Sequence, residues 1–149
     1  MKLPWITLLL MLMVACATPE RRLPQATGGW NIDQFGYDYV VDEDVTAFLD
    51  TSNFGRLIFE EGGGGQYFPA NGDSAQIQGI SWSQLSDTRV RFSFERMKLE
   101  GFDEFEFRIL QDDRNQQLWR AEEVDKVYNP LRADSSDVRL LVQMELSRL

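Results

Sequence analysis

The side chains able to do covalent or acid–base chemistry are few in this chain, and their types exclude more reactions than they permit. Its 149 residues include no histidine and one cysteine, Cys16. Without an imidazole, Ser-His-Asp and Cys-His nucleophile systems and His-ligated zinc all drop out, and one thiol cannot hold a metal cluster. Beyond Lys2 the only lysines are Lys98 and Lys126, neither in an S-x-x-K arrangement, so a Ser-Lys nucleophile has no base. Carboxylates remain. Glu104 and Glu106 fall on the polar side of an alternating run, where solvated charges are expected in a half-exposed sheet. Asp42, Glu43, Asp44 and Asp50 lack the D-x-D-x-D-G spacing and closing Glu of a calcium loop, and read as a solvated acidic loop. Gly62-Gly63-Gly64-Gly65 is followed by neither G-x-G-x-x-G nor a P-loop lysine, so it reads as a flexible connection rather than a phosphate cradle. The expectation is a non-enzymatic protein with no cofactor and no metal.

Charge narrows the partners. With 24 acidic against 15 basic side chains the net charge is −9. Such a balance repels nucleic acid, gives no cause to expect it as a partner, and leaves a solvated acidic surface. A hydrophobic content of 43%, including ten Phe, four Trp and four Tyr, rules out general disorder and supplies a core for one domain.

Positioning begins with the opening stretch, MKLPWITLLLMLMVAC. A positive start, an apolar run from about Ile6 to Val14 and a small residue before a cysteine give the layout of a secretory signal. The apolar run falls short of the roughly 20 residues that span a bilayer. Met13-Val14-Ala15-Cys16 resembles the lipobox of bacterial lipoproteins, with Met13 where that family usually has Leu. The resemblance implies that residues 1–15 are a signal peptide and that Cys16 is acylated and becomes the first residue of the mature chain. It also implies a membrane partner through the N-terminal lipid. The family's sorting rule finds Ala17 rather than Asp after the cysteine, which implies the outer membrane of the cell envelope, facing the periplasm. Residues 17–27 hold two prolines and no periodic pattern and read as a tether of at most about 40 Å. With the lipidated cysteine they make up residues 16–27.

From residue 28 onward the pattern is that of strands. Trp30 and Ile32 share one side of an extended segment. Tyr37 to Val41 suits a strand, whereas Asp44 followed by Val45, Phe48 and Leu49 has N-cap chemistry and helical spacing, predicting a short helix or a loop. Leu57 and Phe59 alternate with Arg56, Ile58 and Glu60. Ile80 and Trp82 share a face, as do Val90, Phe92 and Phe94, and then Phe105, Phe107 and Ile109. Asp112 to Asn115 reads as a hairpin loop, and Asn129 to Asp137 as a connection. Val138, Leu140, Val142, Met144 and Leu146 form the longest alternation. About eight short strands separated by Gly, Asn and Asp turns predict an all-β antiparallel meander, and a closed barrel is favoured because it leaves no exposed edge.

Gly28-Gly29-Trp30 at the head of the first strand resembles the G-x-W opening of lipocalins and small lipocalin-like domains. The order of strands across residues 28–149 is similar to that barrel. The resemblance implies a basic residue, Arg148 or Arg139, packed over Trp30 by a cation–π contact. It further implies a membrane-anchored envelope lipoprotein that binds a small hydrophobic ligand or lipid inside the barrel, with Trp82, Phe92, Phe94, Phe105 and Phe107 lining the site. The alternative is a filled barrel acting as a structural or interaction lipoprotein. There an envelope protein would dock on aromatics drawn from Tyr37, Tyr39, Trp119 and Tyr128.

Overall fold

The computed structural model describes residues 22–26, 28–130 and 133–149. Eight strands follow one another round a closed barrel: β1 (Trp30–Val41), β2 (Asp44–Phe59), β3 (Gly64–Pro69), β4 (Gln78–Ser86), β5 (Arg89–Phe94), β6 (Glu104–Asp112), β7 (Gln116–Asn129) and β8 (Asp134–Arg148). Every neighbouring pair is antiparallel, and β8 closes the ring on β1 with Trp30 opposite Arg148 and Val41 opposite Val138. The segment expected to carry Cys16 and the signal peptide lies outside the described residues.

Alternation decides which side chains enter the barrel. Along β8 the buried set Val138, Leu140, Val142, Met144 and Leu146 points inward while Arg139, Gln143 and Glu145 point out. Val90, Phe92 and Phe94 of β5 and Phe105, Phe107 and Ile109 of β6 do the same. Four strands are much longer than the rest. β1, β2, β7 and β8 rise past the barrel body as one four-stranded sheet in the order β2-β1-β8-β7.

The strands correct the sequence reading in three places. Asp44 to Leu49 is the first part of β2, not a helix or loop, joined to β1 by the two-residue turn Asp42-Glu43. Both turn residues have positive φ, 49° and 75°, as a primed hairpin turn demands. The stretch from Asn129 to Asp137 is mostly strand, since β7 runs to Asn129 and β8 starts at Asp134. Gly64 and Gly65 belong to β3 rather than to a loose loop. A side chain at Gly65 would collide with the Ile58 carbonyl, and the Trp82 indole donates to the Gly64 carbonyl at 2.9 Å. Glycine is there because three strands crowd together.

Both ends of the barrel are stopped. At the base, residues 22–26 fold underneath: Leu23 and Ala26 are buried, and the Trp30 indole donates to the Leu23 carbonyl at 3.2 Å. Part of the stretch expected to be tether is therefore core. Arg22 pairs with Asp112, whose carboxylate accepts from Gln117 Nε2 at 2.9 Å, and Gln117 Oε1 accepts from the Trp119 indole at 2.7 Å. At the top, the connection between β5 and β6 folds inward. Leu99 is buried, Met97 and Phe102 pack on the core, and Tyr37 Oη donates to Glu100 at 2.9 Å.

Candidate functional site

The five aromatics expected to line a ligand site, Trp82, Phe92, Phe94, Phe105 and Phe107, are all buried inside the barrel. The fold brings them together, and it adds rings that the sequence reading did not place with them: Phe59, Tyr67 and Trp119. Phe59 of β2 lies 5.6 Å from Trp82 of β4, 6.4 Å from Phe92 of β5 and 5.9 Å from Trp119 of β7, centroid to centroid. Phe92 in turn meets Phe94 at 4.9 Å, Phe107 at 6.2 Å and Trp119 at 6.4 Å. Rings from opposite walls are thus in contact across the lumen, mostly edge to face, which is how aromatic side chains pack a core. A second tier runs Phe35, Phe54, Tyr67, Phe94 at 4.3, 5.5 and 5.4 Å. Burial pushes the Tyr67 hydroxyl up to about 12, and it donates to the Phe54 carbonyl at 2.9 Å.

Trp30 is fully buried at the base, with Gly28 packed on Leu149. Gly29 has φ +87° and sits against the Leu57 carbonyl, so the turn before Trp30 accepts no side chain there. Arg148 is the basic residue beside Trp30, being its partner in register, while Arg139 lies across from Val40 at the other end of β1. The Arg148 guanidinium donates to the Gln25 carbonyl at 2.9 Å, and among the described residues the cation–π contact joins Arg56 to Phe68 at 4.8 Å. Cys16 lies outside the described residues.

Of the aromatics expected to be exposed, Trp119 is fully buried, and Tyr37 and Tyr39 pack against the core. Tyr128 is 63% exposed. The apolar exposure lies elsewhere, on the outer face of the tall sheet. In one row across β2-β1-β8-β7 stand Val45, Val40, Arg139 and Val124; in the next stand Phe48, Asp38, Leu141 and Glu122. Phe48 is 75% exposed, Val124 67% and Val45 58%. Two recesses of about 700 and 550 Å³ cross this face, edged by the acids Asp38, Asp42, Glu43, Asp50, Glu122 and Asp137 and by the bases Arg120, Lys126 and Arg139. Sequence reasoning missed the patch because it comes from register between strands, not from spacing within one.

The seam between β6 and β7 is irregular, as are those of β1 with β2 and β8 and of β4 with β5. Pairing covers Arg108 to Asp112 on β6 with a bulge after Ile109. Toward the top, Glu123 Oε1 accepts the Glu106 backbone N–H at 2.7 Å, a side chain standing in for a strand carbonyl. Burial, and then the charge of Glu104, push the Glu123 carboxyl above the usual carboxylate range. Among the described residues no group of three His, Cys, Asp or Glu side chains is placed to hold a metal ion.

Fold and packing together define the class: an eight-stranded antiparallel meander barrel with an aromatic interior, stoppered at both ends. No family model, no curated protein and no solved structure matches the chain.

Proposed function

We propose that this is a lipid-anchored lipoprotein of the cell envelope, held by an acylated Cys16 and related in design to lipocalin-like barrels. It works by binding a protein partner on its outer wall and not by carrying a ligand in its lumen or by catalysis. The observation that carries the reading is the contrast between the two faces of the barrel. Inside, aromatic rings meet across the lumen at 5.6 to 6.4 Å, which supports a core rather than a carrier pocket of several hundred Å³. Outside, Val45, Phe48 and Val124 are exposed in neighbouring rows, with the buried Val40 and the half-buried Leu141 between them, and a solitary domain gains nothing by exposing the three. Acids outnumber bases six to three along the edge of that patch, which favours a partner segment with apolar side chains flanked by basic ones.

Orientation supports the same reading. Residues 22–26 close the base, so an anchor at Cys16 keeps the base toward the membrane and turns the tall sheet away from it. A photoreactive amino acid at position 48, introduced into the full chain in intact cells, tests the idea. A discrete heavier adduct with a second protein is expected from position 48 and not from the solvent-facing Ser83 on β4. Monomer alone at every position overturns the partner reading. Cys16→Ser is expected to release the chain from the membrane fraction, and a variant that stays membrane-bound removes the anchor.

A further inference from the structure

The outer wall obeys one rule in most places: charges facing each other across strands are opposite. Arg91 lies 3.4 Å from Glu104, Lys126 3.4 Å from Asp137, and Arg139 3.6 Å from Glu122. Besides the neighbouring carboxylates of Glu104 and Glu123, the rule fails along one whole row. Arg89 of β5, Arg108 of β6 and Arg120 of β7 are successive partners in register, all on the outer face and all exposed. Directly opposed like charges destabilise a sheet, and here three stand side by side in a chain whose net charge is −9.

Their surroundings account for two of them only in part. Arg89 pairs with Glu106, and Arg120 Nη2 donates to Gln143 Oε1 at 2.8 Å. The Arg108 side chain has no hydrogen bond or ion pair to any described residue. The three arginines open on a recess of about 560 Å³ whose wall also includes Leu110, Ala121 and Val124. The carboxylates that reach it are already engaged: Glu106 with Arg89, Glu122 with Arg139, and Glu123 with the Glu106 N–H.

We infer that this groove across β5, β6 and β7 is an anion site for a phosphate group. Arg108 is its central donor, with Arg89 and Arg120 to either side. Guanidinium groups present planar forks of N–H donors that fit phosphate oxygens, and a bound anion removes the repulsion along the row. Leu110 and Val124 at the margin suit a phosphate that carries an apolar tail. The groove borders the patch of the partner reading through Val124 and Glu122, but its arginine row is a separate one and the titration below does not depend on a protein partner.

The test uses the full chain in a non-ionic detergent at constant ionic strength, titrated calorimetrically with inorganic pyrophosphate, dihexanoyl phosphatidic acid or dihexanoyl phosphatidylcholine. Saturable binding of an anion is expected, with none for phosphatidylcholine. Tighter binding of phosphatidic acid than of pyrophosphate identifies a lipid headgroup as the source, and equal binding a free phosphate group. Arg108→Gln, at an exposed position, is expected to weaken binding roughly tenfold or more, the scale of losing a charge-assisted hydrogen bond. Lys98→Gln, remote on the top connection, is expected to leave it unchanged. Failure of both anions to saturate overturns the inference. So does equal affinity of Arg108→Gln and the native chain, or equal uptake of phosphatidylcholine.

Discussion

Gln117 shows how single side chains hold this barrel together. Among the described residues it is the buried polar one of the core, donating to Asp112 and accepting from the Trp119 indole. Gln117→Ala leaves the indole N–H without its acceptor in a buried site, which costs about 1–3 kcal/mol, and it loosens the link to Arg22. Urea denaturation of the variant measures this. Glu123 gives a prediction of the opposite kind. Its carboxyl titrates higher in the folded chain than in the unfolded one, so the folded state binds the proton more tightly. The resulting stability is fully present below the unfolded value and is lost as pH rises through the folded value. Glu123→Gln keeps an acceptor for the Glu106 N–H and removes the charge facing Glu104. Its melting temperature is expected to exceed that of the native chain at pH 8, with the difference vanishing near pH 4. A difference that grows toward low pH contradicts the assignment.

At the level of elements, the β1–β2 hairpin turns on Asp42-Glu43, and Glu43 adopts φ 75° without the freedom of glycine. Glu43→Gly is expected to stabilise the domain by about 0.5–1 kcal/mol, read from the thermal midpoint; a loss of stability would show that the turn is not strained. Asp42 is better kept, because its carboxylate accepts from the Asp137 N–H at 3.1 Å and ties the hairpin to β8. These same elements mark where the sequence was legible and where it was not. Val138 to Leu146, Val90 to Phe94 and Phe105 to Ile109 read as strands because one face of each is buried, and burial forces apolar residues to alternate. Val45, Phe48 and Leu49 misled toward a helix because that part of β2 rises past the barrel body, with solvent on both sides. No core there selects for a period of two. The outer-face rows Val45-Val40-Arg139-Val124 and Arg89-Arg108-Arg120 were illegible for another reason. They join three or four strands, and only register shows that their members are neighbours.

The whole molecule is a barrel with little space inside and an uneven outside. Its base is closed by Leu23 and Ala26, its top by Leu99 with Met97 and Phe102, and its lumen by rings drawn from five strands. On the proposed reading, binding is then left to the wall: an apolar patch with a mainly acidic edge on the tall sheet, and an arginine row across β5, β6 and β7. A filled lumen and a ligand-holding lumen respond differently when Phe92, the ring that touches Phe59, Phe94, Phe107 and Trp119, is cut back. Urea denaturation of Phe92→Ala is the measurement closest to this claim. A packed core predicts a loss of about 3–5 kcal/mol, whereas a loss below roughly 1 kcal/mol, the scale of a side chain bordering open space, would mean that the barrel is hollow there and that the carrier reading should replace this one.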